Sequence, residues 1–123
     1  MLQKKYRLKN NNAFKATYNV KNTVSDRYFI VFAGKVKKNP EISTKIGFVV
    51  SKKNHKRAVK RNKLKRLMRE SLRLLLKNSN APVNNIEKFI SIVIVARDSA
   101  IGKDFATVNA SILNLLEKIK TKN

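Results

Sequence analysis

The sequence predicts a single α+β domain, and three observations predict it. Residues 28–33 and 89–97 are dense in β-branched and aromatic side chains, as strands are. Around them lie segments whose apolar residues recur at helical spacing. No internal repeat and no Pro- or Gly-rich linker divides the 123 residues, a length that suits one compact domain.

The elements follow in order. Residues 1–9 are basic and are expected to be a loose N-terminus. One of Asn10, Asn11 or Asn12 can cap a short helix running to about Asn19. On it Ala13, Ala16, Thr17 and Val20 form a small-residue stripe for packing. Phe14 and Tyr18, four apart, stand together on another side of the helix. Residues 28–33 read as a strand extending toward Lys37, and Asn39-Pro40-Glu41 is a turn signal. Residues 45–51 read as a second strand, with Ile46, Phe48 and Val50 on one face and Gly47, Val49 and Ser51 on the other. The two strands together predict a hairpin. A long helix is expected over 58–77, ended by Asn78-Ser79-Asn80-Ala81-Pro82. Residues 89–97 are apolar almost throughout, as a central strand covered on both faces would be. Phe105, Val108, Ile112, Leu115, Leu116 and Ile119 make the stripe of a closing amphipathic helix. The predicted order is helix-strand-strand-helix-strand-helix.

Charge narrows the function. The chain carries 29 Lys and Arg against 7 acids, a formal net charge of +22. Ten of those cations fall between Lys52 and Arg69 with no acid among them. At about 100° per residue, Leu64, Leu67, Met68, Leu72 and Leu75 share one helix face. Arg61, Asn62, Lys65, Arg66, Arg69 and Arg73 occupy the adjoining one. A solvated helix face mixes signs so that i,i+4 pairs form. Here Glu70 alone interrupts the positive charge before Lys77. A polyanion is the natural partner for such a face, and nucleic acid is the expected one.

Other chemistries are thin. The acids (Asp26, Glu41, Glu70, Glu87, Asp98, Asp104 and Glu117) are spread along the chain, and Asp98 and Asp104 suit capping. The single histidine, His55, lies in the basic loop, where a phosphate or solvent contact is the expectation. No Gly-rich phosphate loop or Ser/His/Asp arrangement occurs. The residues therefore predict no self-sufficient active site. Without cysteine, disulfides and thiolate metal sites are impossible. No apolar run has membrane-spanning length, and the first residues lack the apolar core of a signal peptide. A cytoplasmic protein is expected.

The stretch Val50-Ser51-Lys52-Lys53, followed by Ala58-Val59-Lys60-Arg61-Asn62-Lys63-Leu64-Lys65-Arg66-Leu67-Met68-Arg69-Glu70, resembles the signature of the protein subunits of bacterial ribonuclease P. That family's basic helix carries A-V-x-R-N-x-x-K-R-x-x-R. Supporting matches extend to the early Leu8…Phe14 helix, the aromatic first strand, Val95-Ala96-Arg97 and the closing helix. The resemblance implies a ribosomal-protein-like α/β sandwich with a left-handed βαβ crossover, against the usual hand. It implies two partners, the catalytic ribonuclease P RNA and the 5′ leader of precursor tRNA, with no membrane and no protein partner. Hydrolysis would lie with the RNA and magnesium, with no metal held by protein side chains. By position, Lys52, Lys53, Arg57, Arg61, Asn62, Lys65, Arg66 and Arg69 correspond to contacts with the RNA subunit. Phe14, Tyr18, Phe32 and Arg97 correspond to the leader cleft, although a strand aromatic such as Phe32 serves equally well as core.

Three positions depart from the family. Lys56-Arg57 stands where Gly-Asn is frequent, and Lys63 replaces a second Arg, keeping charge without the planar fork. Val49 replaces a small polar residue on the cleft side, narrowing or drying that wall. Competing readings are a structural ribosomal protein, an architectural DNA-binding protein and a membrane-surface amphipathic helix. The last two lack a minor-groove arm and an interfacial Trp or Phe, respectively.

Overall fold

A computed structural model of the chain describes residues 6–39, 41–50, 58–78 and 85–120. Helix α1 spans Asn11–Asn19, and the side chain of its N-cap, Asn10, accepts from Asn12 N at 2.8 Å. Lys21, in the left-handed region at φ 60°, turns the chain out of the helix. A short strand β1 (Asn22–Ser25) follows and pairs antiparallel with β2 (Phe29–Ala33). Asp26 closes their turn, its Oδ1 accepting from Tyr28 N at 2.8 Å and Phe29 N at 2.9 Å. Then come β3 (Lys45–Val50), α2 (Ala58–Asn78), β4 (Ser91–Ala96), a 3₁₀ turn at Asp98–Ala100 and α3 (Phe105–Lys118). Helix α3 starts where Asp104 Oδ1 accepts from Thr107 N at 2.9 Å, which holds the Asp104 carboxyl below its ordinary pKa.

The four strands form one mixed sheet in the order β1-β2-β4-β3. The α+β sandwich is as predicted, with an added strand, but the hairpin between the strands at 28–33 and 45–51 does not form. Strand β4 lies between them, antiparallel to β2 and parallel to β3. The reason is the apolar character of β4. A strand that is apolar along its length needs neighbours on both sides and cover on both faces. The hairpin partner of β2 is β1. Strand β2 ends at Ala33, but the chain stays paired toward Lys37, with backbone bonds joining Gly34 to Ser91, Lys35 to Ile90 and Lys37 to Lys88, and Val36 bridging Phe89. The loose N-terminus expected over 1–9 is tied down in its last part. Arg7 bridges Ile46 in parallel, and Leu8 N donates to Ile46 O at 3.0 Å.

One face of the sheet holds the core. Phe29, Val31, Ala33, Ile46, Val50, Ile92, Ile94 and Ala96 are buried there under Leu64, Met68, Leu72 and Leu75 of α2 and Val108, Ile112, Leu115 and Leu116 of α3. Ser71 Oγ donates to Asn109 Oδ1 at 2.6 Å and locks the two helices together. Asn85 Nδ2 holds the far end of α3 through Leu116 O and Ile119 O. Ser111 of α3 bonds the Asp26 carboxylate and ties the helix to the β1–β2 turn.

Helix α1 sits on the opposite face, and its seat is narrower than the predicted small-residue stripe. Ala16 is exposed, Ala13 and Val20 are half-buried, and Thr17 alone is fully buried. Thr17 Oγ1 lies 2.8 Å from Ala13 O and 2.5 Å from Ser91 Oγ on β4. Its one hydroxyl proton goes to the Ala13 carbonyl, so Ser91 donates to Thr17. Gly34 leaves the room: a Cβ there would collide with Ser91 Oγ.

This polar pin yields a stability prediction. Thr17→Val preserves shape but leaves the buried Ser91 hydroxyl without its acceptor, which costs about 1–3 kcal/mol. Urea unfolding should show the loss as a lower midpoint at unchanged slope, and Thr17→Ser, which keeps the hydroxyl, should retain most of the stability. A small loss from Thr17→Val beside a large one from Thr17→Ser would mean that the methyl group, not the hydrogen bond, seats α1.

Candidate nucleic-acid interface

Helix α2 is built of good helix formers without Gly or Pro, and its two sides are cleanly divided. Leu64, Met68, Leu72 and Leu75 are at most 2% exposed. Of the predicted contacts, Asn62, Arg66 and Arg69 are exposed, and Arg61 and Lys65 are half-buried. Leu67, expected with the core stripe, is half-buried against its edge. No acid pairs with Arg61, Lys65, Arg66 or Arg69 among the described residues, because Glu70 is taken by Arg73 at 2.5 Å. The Arg73 hydrogen bond holds the Glu70 carboxyl below its ordinary pKa, and the same contact raises Arg73. Lys52, Lys53 and Arg57 lie outside the described residues.

The first turn of α2 contains no acid, although helix N-termini favour negative charge. Lys60 and Arg61 stand there instead. Each cation so placed opposes the helix dipole by about 0.3–1 kcal/mol, and phosphates brought to this end would reverse the penalty. Val59, in the same turn, is 80% exposed. The Nε of Arg61 is buried and has no hydrogen-bond partner among the described residues.

The predicted cleft residues lie on the other face of the sheet, the α1 side. Tyr18 meets Phe32 of β2 edge to face, with centroids 4.8 Å apart and planes at 76°. Burial pushes the Tyr18 phenol above its ordinary pKa, so it stays neutral. Phe14 reaches a different strand. Its ring covers Gly47 of β3 so closely that a Cβ there would fall within 2.5 Å of it. Phe32 and Gly47 flank the same β4 residue, Val93, from opposite sides, so the aromatics span three strands, about 10 Å. Next along this face, Ile30, Val95 and Val49 stand in cross-strand register and are half-buried, forming an apolar floor. Arg97, exposed, continues the alternation of Val93 and Val95 and so borders that floor.

The sequence reading missed two features. Phe14 is flanked by Leu8, and around them Lys9, Gly47, Phe48 and Arg69 line a hollow of about 330 Å³ at the outer edge of β3. The only advance signal was an isolated Gly inside a strand, which marks close approach of another group. Near the other end of the sheet, Arg27 and Lys103 each lie 5.8 Å from the Tyr28 ring. Among the described residues, no group of three or more His, Cys, Asp or Glu could hold a metal, and no helix is long and apolar enough to cross a membrane. Asp26, Glu70 and Asp104 are committed to a turn, an arginine and a cap.

Comparison with known proteins agrees with this architecture. Residues 2–120 match the family model described as Ribonuclease P. The ribonuclease P protein component of Clostridium kluyveri is 34% identical over 113 residues, covering 92% of this chain and 93% of that one. That of an Exiguobacterium species is 35% identical over 119 residues, covering 97% and 94%. Among solved structures, the RNase P protein of Thermotoga maritima superposes with a TM-score of 0.70 at 30% identity, covering 93% of this chain and 97% of the other. That of Staphylococcus aureus gives 0.69 at 30% identity, covering 93% and 96%. Family match, identity and fold coincide over nearly the full length, and the chain belongs to the ribonuclease P protein family, the protein components of an RNA-containing endoribonuclease of tRNA processing.

Proposed function

We propose that the chain grips the ribonuclease P RNA with the basic face of α2 and holds the 5′ leader of precursor tRNA on the α1 side of the sheet, assisting removal of that leader. The observation that carries this reading is the division of surfaces. Cations with no acid partner among the described residues stand on a helix outside one face of the sheet, and spaced aromatics over an apolar floor stand on the other. Cations without bidentate partners suit the phosphates of a folded RNA, which give affinity without sequence. Aromatics spread over about 10 Å suit an extended single strand, whose bases stack without regard to identity. Lys52, Lys53 and Arg57 would extend the first surface, and Arg97 the rim of the second.

Hydrolysis belongs to the RNA subunit in this reading. Magnesium would be held by RNA, since the described carboxylates are dispersed or already bonded. Reducing, cytoplasmic surroundings suit a chain with no cysteine.

Three outcomes test the proposal. Protein freed of all RNA should give no 5′ cleavage of precursor tRNA in magnesium, and site-specific turnover by such a preparation would refute the division of labour. Arg66→Ala should weaken assembly with the RNA subunit and lower the slope of log affinity against log salt by about one unit. An unchanged slope would mean that Arg66 is only solvated. Phe14→Ala should weaken binding of precursor tRNA to the holoenzyme about tenfold, the equivalent of one stacked base at about 1–3 kcal/mol, while mature tRNA, which has no leader, should bind as before. Equal losses for the two RNAs would make Phe14 a packing residue and remove it from the cleft.

A further inference from the structure

We propose that Arg27 and Lys103, gathered around the ring of Tyr28, hold one phosphate group of RNA at the end of the sheet where β2 begins and β4 stops. This third contact, which rests on the reading that the chain works bound to RNA, lies outside the basic face of α2 and away from α1 and β3. Tyr28 is half-buried and packs against the core, which fixes its ring. The guanidinium of Arg27 and the ammonium of Lys103 each stand 5.8 Å from the ring centre. They come from separate segments, the β1–β2 turn and the loop that enters α3.

That loop is held in place. Arg97 N donates to Tyr28 O at 2.8 Å, and Ser99 Oγ donates to Arg27 O. The 3₁₀ turn closes with Ala100 N on Arg97 O and Ile101 N on Asp98 O. Lys103 N then donates to Ala100 O at 3.2 Å. Gly102, at φ 88° with open space around it, supplies the left-handed residue that this return requires. The backbone thus brings Lys103 back to the ring.

Two cations drawn to one ring repel each other, and the ring neutralises neither. Among the described residues, neither has a carboxylate within ion-pair distance. The acids of this end are used elsewhere or stand apart. Asp26 accepts from Tyr28 N, Phe29 N and Ser111, Asp104 caps α3, and exposed Asp98 pairs with neither cation. A phosphate has oxygens enough for both cations and for the Tyr28 hydroxyl, a further donor. With cations over the ring, its face is not free to stack a base, so the contact positions RNA and reads no sequence. The location suits an RNA ligand. A helix that crosses between parallel strands starts where the first of them ends, so the first turn of α2 and the Tyr28 cluster share one end of the sheet.

The RNA subunit and the precursor tRNA are both sources of such a phosphate, and salt dependence distinguishes them. The slope of log affinity against log salt is measured for assembly of the chain with the ribonuclease P RNA, and for binding of precursor tRNA to the holoenzyme. Lys103→Ala should flatten one of the two slopes by about one unit, and the equilibrium affected names the source. Lys118→Ala, an exposed cation about 20 Å away at the other end of α3, controls for loss of charge alone and should flatten neither. Tyr28→Leu keeps every charge but removes the ring that gathers the cations, and it should flatten the same slope as Lys103→Ala. If a thermal melt shows that Tyr28→Leu does not fold, Lys103→Ala against Lys118→Ala decides alone. A response of Lys103→Ala equal to that of Lys118→Ala, or a folded Tyr28→Leu variant with both slopes unchanged, overturns the site. A flattened assembly slope for Arg66→Ala beside unchanged slopes for Lys103→Ala removes the Tyr28 site and leaves the RNA reading standing. Unchanged slopes for both variants remove both.

Discussion

Strand β4 is the constraint on which the rest of the molecule depends. Ile92, Ile94 and Ala96 are fully or almost fully buried on one face, and Ser91 and Val93 are buried on the other. A strand sealed on both faces must be central, so β2 and β3 are forced to its two sides. Because β3 runs parallel to β4, the chain has to cross over between them, and α2 is that crossover. The helix that presents the cations is therefore also the connection that the sheet requires. Its orientation is fixed by Leu64, Met68, Leu72 and Leu75 in the core, which leaves the guanidinium side facing out.

The same strand fixes the opposite face. Ser91, at the start of β4, donates to Thr17 and holds α1 down, and from that seat Phe14 and Tyr18 reach β3 and β2. One strand thus sets the position of both the cationic and the aromatic surface, although they share no residue. The charge acts in the other direction. Asp26, Glu70 and Asp104 are used locally, so at +22 the unbound chain carries a self-repulsion that these contacts do not relieve. Any anion that binds the native fold alone stabilises it by mass action.

Much of this was legible in the sequence. Helix α2 was expected over 58–77 and spans Ala58–Asn78, because the helical spacing of its apolar residues and the turn residues from Asn78 to Pro82 mark it out. The closing helix and β4 were equally clear. Strand β1 was not, since Asn22-Thr23-Val24-Ser25 has one strongly apolar residue and owes its extended form to pairing with β2. The hairpin was misread because neighbours in sequence are usually neighbours in space. The apolar run of β4 already argued for two partners, and weighing it first would have separated β2 from β3. The i,i+4 spacing put Phe14 and Tyr18 on one side of α1. What it could not give was the direction of the helix across the strands, which sends the two rings to different strands.

Arg61 carries a consequence for how an anion is met. Its Nε lies out of contact with water, and among the described residues no group accepts from it. Left without an acceptor, such a donor would cost the fold about 1–3 kcal/mol. A position closed to water is closed to an acceptor oxygen of the same size. An anion could therefore reach this atom only if the Arg61 side chain turned outward, and the turn would also return that cost. Exposed cations on the same helix, such as Arg66 and Arg69, need no such turn.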